Sequence, residues 1–102
     1  MIHVIATFDL NPGTRAAFLA EFHKLVPLVL AEAGCIEYGP TVDVASGAAA
    51  QPPVRENGVV IVEKWADLAA LSAHSQAQHM ADFRPRVKDF VKSVTLHVLQ
   101  PA

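Results

Sequence analysis

The chain has 102 residues, 52% of them apolar, and a formal charge of −2 from 8 Lys and Arg against 10 Asp and Glu. That length makes one domain with a single core, residues 1–102, and the absence of a basic cluster argues against nucleic acid and anionic membrane surfaces as partners. One cysteine, Cys35, leaves no internal disulfide and no Cys-based zinc site. No apolar run approaches the ~20 residues of a membrane helix and no leader pattern is visible, so a cytoplasmic protein is expected.

Ile2, Val4, Ala6 and Phe8 alternate with His3, Ile5 and Thr7, the period of a strand over Ile2–Asp9. Asn11-Pro12-Gly13 stops it, and Thr14 is expected to cap the helix that follows. Phe18, Phe22, Leu25 and Val29 recur at four, three and four and form that helix's apolar stripe, with Arg15, Glu21, Lys24 and Glu32 mostly off it. Pro27 should kink the helix or split off its last turn, and Gly34 is placed to end it.

Cys35–Val44 reads as a second strand in which Ile36, Tyr38 and Val42 share a face and Gly39-Pro40 allows a bulge or an edge position. The segment 45–57, rich in small residues, is the longest irregular stretch, of a kind that is mobile or functional. Val59–Trp65 is the third strand. Asp67 opens a helix carrying Leu68, Leu71 and His74; Met80, Phe83, Val87 and Phe90 mark another helical stretch interrupted near Pro85. Ser93–Leu99 alternates as the last strand, ended by Pro101.

The order β-α-β-β-α-β is the ferredoxin-like α+β arrangement, an antiparallel sheet with its helices on one face. Val59 through Val62 are apolar on both faces, so the face away from the helices needs cover. A second copy of the chain is the simplest cover, which predicts a homodimer (a dimeric α/β barrel) with pockets near the sheet-helix junctions.

Glu32-Ala-Gly-Cys-Ile-Glu-Tyr38, Glu63-Lys-Trp65, Leu68-Ala-Ala-Leu-Ser-Ala-His74 and His79-Met80 resemble the antibiotic biosynthesis monooxygenase family. Leu25-Val-Pro-Leu-Val-Leu30, Pro40-Thr-Val-Asp43 and Val98-Leu-Gln-Pro101 are similar to its bacterial quinol monooxygenase branch. The resemblance spans essentially the whole chain. It implies oxidation of a quinol or polyphenol by O₂ with no bound cofactor, because a deprotonated quinol is reducing enough to pass an electron to O₂ itself. The haem-degrading relatives carry an asparagine, a tryptophan and an axial histidine where this chain has Ala6, His74 and Arg84, which argues against haem. A non-catalytic small-molecule-binding dimer and an isomerase of a phosphorylated dione stay open as alternatives.

His74 is the candidate catalytic residue, since an imidazole titrates near neutral pH; the alternative is a partly buried histidine closing a helix end. Trp65 stands as a pocket wall or as the anchor of the third strand, and Glu63 as the partner of a histidine or of a basic residue. Tyr38 is set either to bond a substrate oxygen or to fill the core. His79, Met80 and Phe83 are candidate pocket residues that would line one opening. His3 and His97, on neighbouring strands, are short of the ligands a metal needs, so no metal is expected. Cys35 reads as a buried structural thiol.

Overall fold

The structure, a computed structural model, describes residues 1–102. The elements are β1 (Ile2–Leu10), α1 (Arg15–Leu30), β2 (Cys35–Thr41), β3 (Gly58–Trp65), α2 (Leu68–Ser75), α3 (Gln78–Val87) and β4 (Val91–Leu99). The strands pair antiparallel in the order β2-β3-β1-β4, so the α+β ferredoxin-like arrangement is the one that forms. No helix is long and apolar enough to cross a membrane.

Alternation decides which rows meet the helices. Val4 and Ala6 of β1 and Val59, Ile61 and Trp65 of β3 are buried, as is the full α1 stripe of Phe18, Phe22, Leu25 and Val29. The opposite row, Ile5 and Thr7 with Val62 and Val60 directly across, is only half-buried. An aromatic file runs through the core from Phe8 to Phe18 (ring centroids 5.1 Å), Phe22 (5.8 Å) and Tyr38 (5.5 Å). Such pairs add stability beyond their buried area, ~0.5–1.5 kcal/mol each.

Local details depart from the sequence reading in instructive ways. The Thr14 hydroxyl does not cap α1; it donates to the Asn11 carbonyl at 2.7 Å and so closes the turn before the helix. Pro27 does not split α1, because it sits one turn from the end, where Ala31 N–H still reaches the Pro27 carbonyl at 3.2 Å. Ala31 is the C-terminal cap, and Gly34 (φ +82°) makes the left-handed residue of the turn into β2. Val87 ends α3, leaving Phe90 in the following turn, and β4 starts at Val91.

β2 is the largest correction. It stops at Thr41, and its register slips between Cys35 and Glu37, so Ile36 is an extra residue on the edge strand. The slip inverts the alternation: Tyr38 lies opposite Glu63 on the helix side, while Ile36 and Val42 are exposed. The segment 42–57 is held by its own side chains. Asp43 takes Arg55 Nε at 2.8 Å, Arg55 Nη2 at 2.9 Å and the Arg55 backbone N–H at 2.9 Å, and the Arg55 guanidinium holds the Asp43 carboxyl well below the usual carboxylate range.

Candidate active site

Three elements converge on one carboxylate. Asp67 caps α2 by accepting from Ala70 N–H at 2.8 Å, which starts the helix that ends on His74. The turn after α1 supplies Glu32, and the first turn of α3 supplies His79. Glu32 Oε2 lies 2.8 Å from His74 Nδ1 and 2.7 Å from His79 Nε2. A carboxylate only accepts, so both of those ring nitrogens donate to it, and in the neutral ring Nε2 of His74 is the remaining acceptor. His74 is 5% exposed. Its ring lies 4.7 Å from the Trp65 indole and 5.4 Å from the Tyr38 ring.

His74 forms part of a pocket of about 160 Å³ between the sheet and the helices α2 and α3. An apolar cavity of roughly 150 Å³ holds a benzene ring. Nine of its thirteen lining residues are hydrophobic, among them Val4, Ala6, Phe8, Ile61, Leu71 and Met80. The other four are Glu63, His74, Ser75 and Arg84, and the hydroxyl of Tyr38, itself one of the nine, adds a further polar group.

Glu63 is 5% exposed on β3. Its Oε1 accepts from Trp65 Nε1 at 2.9 Å, and no cation pairs with it. Burial pushes its carboxyl up to about 7; the Trp65 hydrogen bond pulls the other way, and the nearby Glu32 charge adds to the rise. Burial, then the charges of Glu63 and Glu32, raise the Tyr38 phenol well above its ordinary range, so Tyr38 serves as a hydrogen-bond donor and not as a phenolate.

The expected site residues divide on the structure. Tyr38, Glu63, His74 and Met80 meet in the pocket. Trp65 does not wall it: fully buried, it stands behind the pocket, holding Glu63 and packing on His74. His79 and Phe83 line a separate cavity of about 90 Å³ between α1 and α3, with Glu21, Lys24, Asp82 and Arg86; Phe83 also shares an opening with Met80 beside Val87 and Val94, as expected, whereas His79 does not. One turn of helix separates these side chains, but α3 is wedged between two cavities and turns a different face to each.

Glu63 forms neither the histidine contact nor the ion pair expected of it; its strand neighbour Trp65 is its partner instead. His97 lies opposite Ile5 and His3 opposite Leu99, so the two imidazoles stand diagonally on the ladder. The three groups that could hold a cation are Glu32, His74 and His79, whose ligand atoms lie within 4.8 Å of one another. As they stand, their hydrogen bonds satisfy one another. Cys35 is half-buried, and burial together with the charges of Glu32 and Glu63 raises its thiol, the opposite of an activated nucleophile.

The sequence places Glu32 off the α1 stripe and at the head of the Glu32–Tyr38 motif, and assigns it no role in the site. One signal was available: a carboxylate just past the C-terminal end of a helix opposes the helix dipole, and so calls for a partner elsewhere.

The sheet order, the one-sided helices and an apolar pocket ending on an imidazole define a ferredoxin-like α+β protein with a candidate site between its sheet and helices. The chain belongs to the antibiotic biosynthesis monooxygenase family, whose model matches residues 1–86. It is 40% identical over 103 residues to the Escherichia coli protein named "Probable quinol monooxygenase YgiN", covering 99% of this chain and 98% of that one. Among solved structures, PA3566 from Pseudomonas aeruginosa superimposes with a TM-score of 0.81 at 27% identity, covering 99% and 93% of the two chains. Rv0793 from Mycobacterium tuberculosis does so at 0.79 and 26%, covering 99% and 94%.

Proposed function

We propose that this chain is a cofactor-independent monooxygenase that oxidises a quinol or related polyphenol with O₂ inside the pocket headed by His74. The observation that carries the reading is a buried imidazole, oriented by a carboxylate, at the wall of an apolar pocket of benzene size. Family membership and the name of the Escherichia coli relative support the class of reaction.

Glu32 holds the Nδ1–H of His74, and Nε2 takes a proton from a substrate hydroxyl. The resulting quinolate gives one electron to O₂, the two radicals join at a ring carbon, and loss of water leaves a hydroxyquinone. The sum balances: hydroquinone plus O₂ gives hydroxyquinone plus water. Apolar walls suit this sequence because a poorly solvated quinolate is a stronger reductant. Tyr38, held protonated, and Arg84, whose Nη2 also donates to the Ser75 carbonyl at 2.7 Å, supply hydrogen bonds and charge to the developing anions. The working unit in this reading is a homodimer, since Val94 and Leu96 line the pocket from an edge strand that the chain's own helices leave exposed.

Oxygen-electrode measurements over a small panel of hydroquinones test the proposal. Uptake above the uncatalysed rate is expected, and His74→Ala should lower kcat by about 10²-fold or more with KM changed only a few-fold. Thermal protection by the same compounds without oxygen uptake would instead make this a binding protein.

A further inference from the structure

Glu63 is the one buried carboxyl of the molecule that faces the pocket, and the reaction as written above leaves it idle. Its placement is deliberate in sequence terms: a strand row of Val59, Ile61, Glu63 and Trp65 puts a charge-bearing group where an aliphatic residue would pack. The indole N–H of Trp65 takes up Oε1 at 2.9 Å, while Oε2 has no protein donor. The charged or titratable groups around Glu63 are Tyr38 opposite it and Cys35 at the start of β2, Glu32 from the turn after α1, His74 at the end of α2 and Arg84 on α3, while β1 sets Val4 opposite it. None of them is bonded to it.

We propose that Glu63 is a second proton acceptor of the same site, so that the pocket is built for aromatic substrates bearing two acidic hydroxyls (hydroquinones and catechols) and discriminates against monophenols. The inference rests on the reading of His74 as the first acceptor. His74 Nε2 takes the proton of one hydroxyl, and the quinolate passes an electron to O₂, giving a neutral semiquinone and superoxide. Glu63 Oε2 then takes the proton of the second hydroxyl, and the semiquinone anion that results is the electron-rich partner for carbon–oxygen bond formation.

Both protons return as the oxygen–oxygen bond breaks. The one on His74 goes to the distal peroxide oxygen, which leaves with the ring-carbon hydrogen as water, and the one on Glu63 goes to the hydroxyquinone oxygen. Substrate and O₂ supply every atom and electron, and both side chains end as they began. A monophenol offers only the first of these protons, so it stalls at the phenoxyl stage.

The sole tryptophan of the chain makes this testable without turnover, because Trp65 is hydrogen-bonded to Glu63 and reports its ionisation. Trp65 emission should show a titration step near neutral pH that Glu63→Gln abolishes. His74 also packs on the indole, at 4.7 Å, so the step belonging to Glu63 is the one that persists in His74→Ala. Anaerobic addition of hydroquinone should shift its midpoint, and addition of 4-methoxyphenol should shift it less.

In turnover, Glu63→Gln keeps an acceptor for the indole and should lower kcat on hydroquinone by at least about tenfold with KM nearly unchanged, and remove one limb of the pH profile. Glu63→Asp should recover part of the rate. Wild-type kcat and pH profile in Glu63→Gln, or Trp65 emission flat between pH 5 and 9, would overturn the proposal. So would equal turnover of hydroquinone and 4-methoxyphenol. An absence of oxygen uptake by the wild-type protein would fault the monooxygenase reading instead, and the anaerobic titration would then decide on Glu63 by itself: a shifted midpoint supports it, an unmoved one refutes it.

Discussion

A carboxyl that sits near 7 inside a protein and near 4.5 outside it makes stability depend on pH, and Glu63 is such a group. Between those two values the folded chain keeps a proton that the unfolded chain has already lost. Stability therefore falls as pH rises from about 4.5 through about 7, and above that the full cost of a buried charge is borne, ~3 kcal/mol for a displacement of this size. Glu63→Gln removes the charge and retains a carbonyl for Trp65. Denaturant unfolding should find the variant favoured over wild type by about 3 kcal/mol more at pH 8 than at pH 4.5. Equal differences at the two pH values would mean that Glu63 is solvated and not buried as the structure has it.

The same residue shows where sequence reading ran out. That Glu63 shares a face with Trp65 follows from spacing alone, but residue type points its carboxylate to a histidine or a basic residue and not to the indole two positions along the same strand. Glu32 was harder still, since its partners lie 42 and 47 residues away and no periodicity links a turn to two helices.

At the scale of elements, the turn after α1, the start of β2 and the first turn of α2 meet at Gly34. Ala66 N–H donates to the Gly34 carbonyl at 2.8 Å, which seats the start of β2 against the chain entering α2 and so brings Glu32 within reach of His74. A Cβ on Gly34 would lie 2.5 Å from the Ala70 Cβ, and φ there is +82°. Gly34→Ala should therefore cost about 2–4 kcal/mol in denaturant unfolding, from left-handed backbone strain and overpacking together. Adding Ala70→Gly should recover the packing part but not the strain. A Gly34→Ala protein as stable as wild type would show that this turn is looser than described.

The glycine was read from sequence as a helix end, nearly its true place, because left-handed positions select glycine strongly. Past Cys35 the alternation points the wrong way along β2, since a bulge leaves no mark on the pattern of apolar residues except that it inverts it. Alternation placed β1 and β3 correctly. The α1 stripe was legible for the complementary reason, as all four of its members repeat at helical spacing and all four are buried.

At the scale of the whole molecule, the apolar excess of the sequence has a definite location. β4 is exposed along almost its full length, and Val94, Leu96 and Val98 on its helix side are 54%, 57% and 44% exposed, opposite the well-buried Ala6 and Val4 rows of β1. An edge strand this apolar invites pairing with another chain, and nothing on it acts as a guard except Lys92 at its start. Because Val94 and Leu96 also line the pocket, whatever covers them also closes that side of it.

A second copy of the chain is the occupant we propose, and Val98→Lys tests it, since Val98 lies on the same row of β4 but outside the pocket lining. Val98 is already exposed in the single chain, so the substitution should leave the fold and thermal unfolding of a lone subunit intact while weakening the dimer. Sedimentation equilibrium should show wild type as a dimer at micromolar concentration and the variant dissociating at protein concentrations at least about tenfold higher, a loss of ~1.4 kcal/mol or more. Oxygen uptake should fall with the dimer fraction and recover as protein concentration is raised. A wild-type monomer at those concentrations, or a fully active monomeric variant, would show that the pocket works uncovered and that the exposed face of β4 has some other partner.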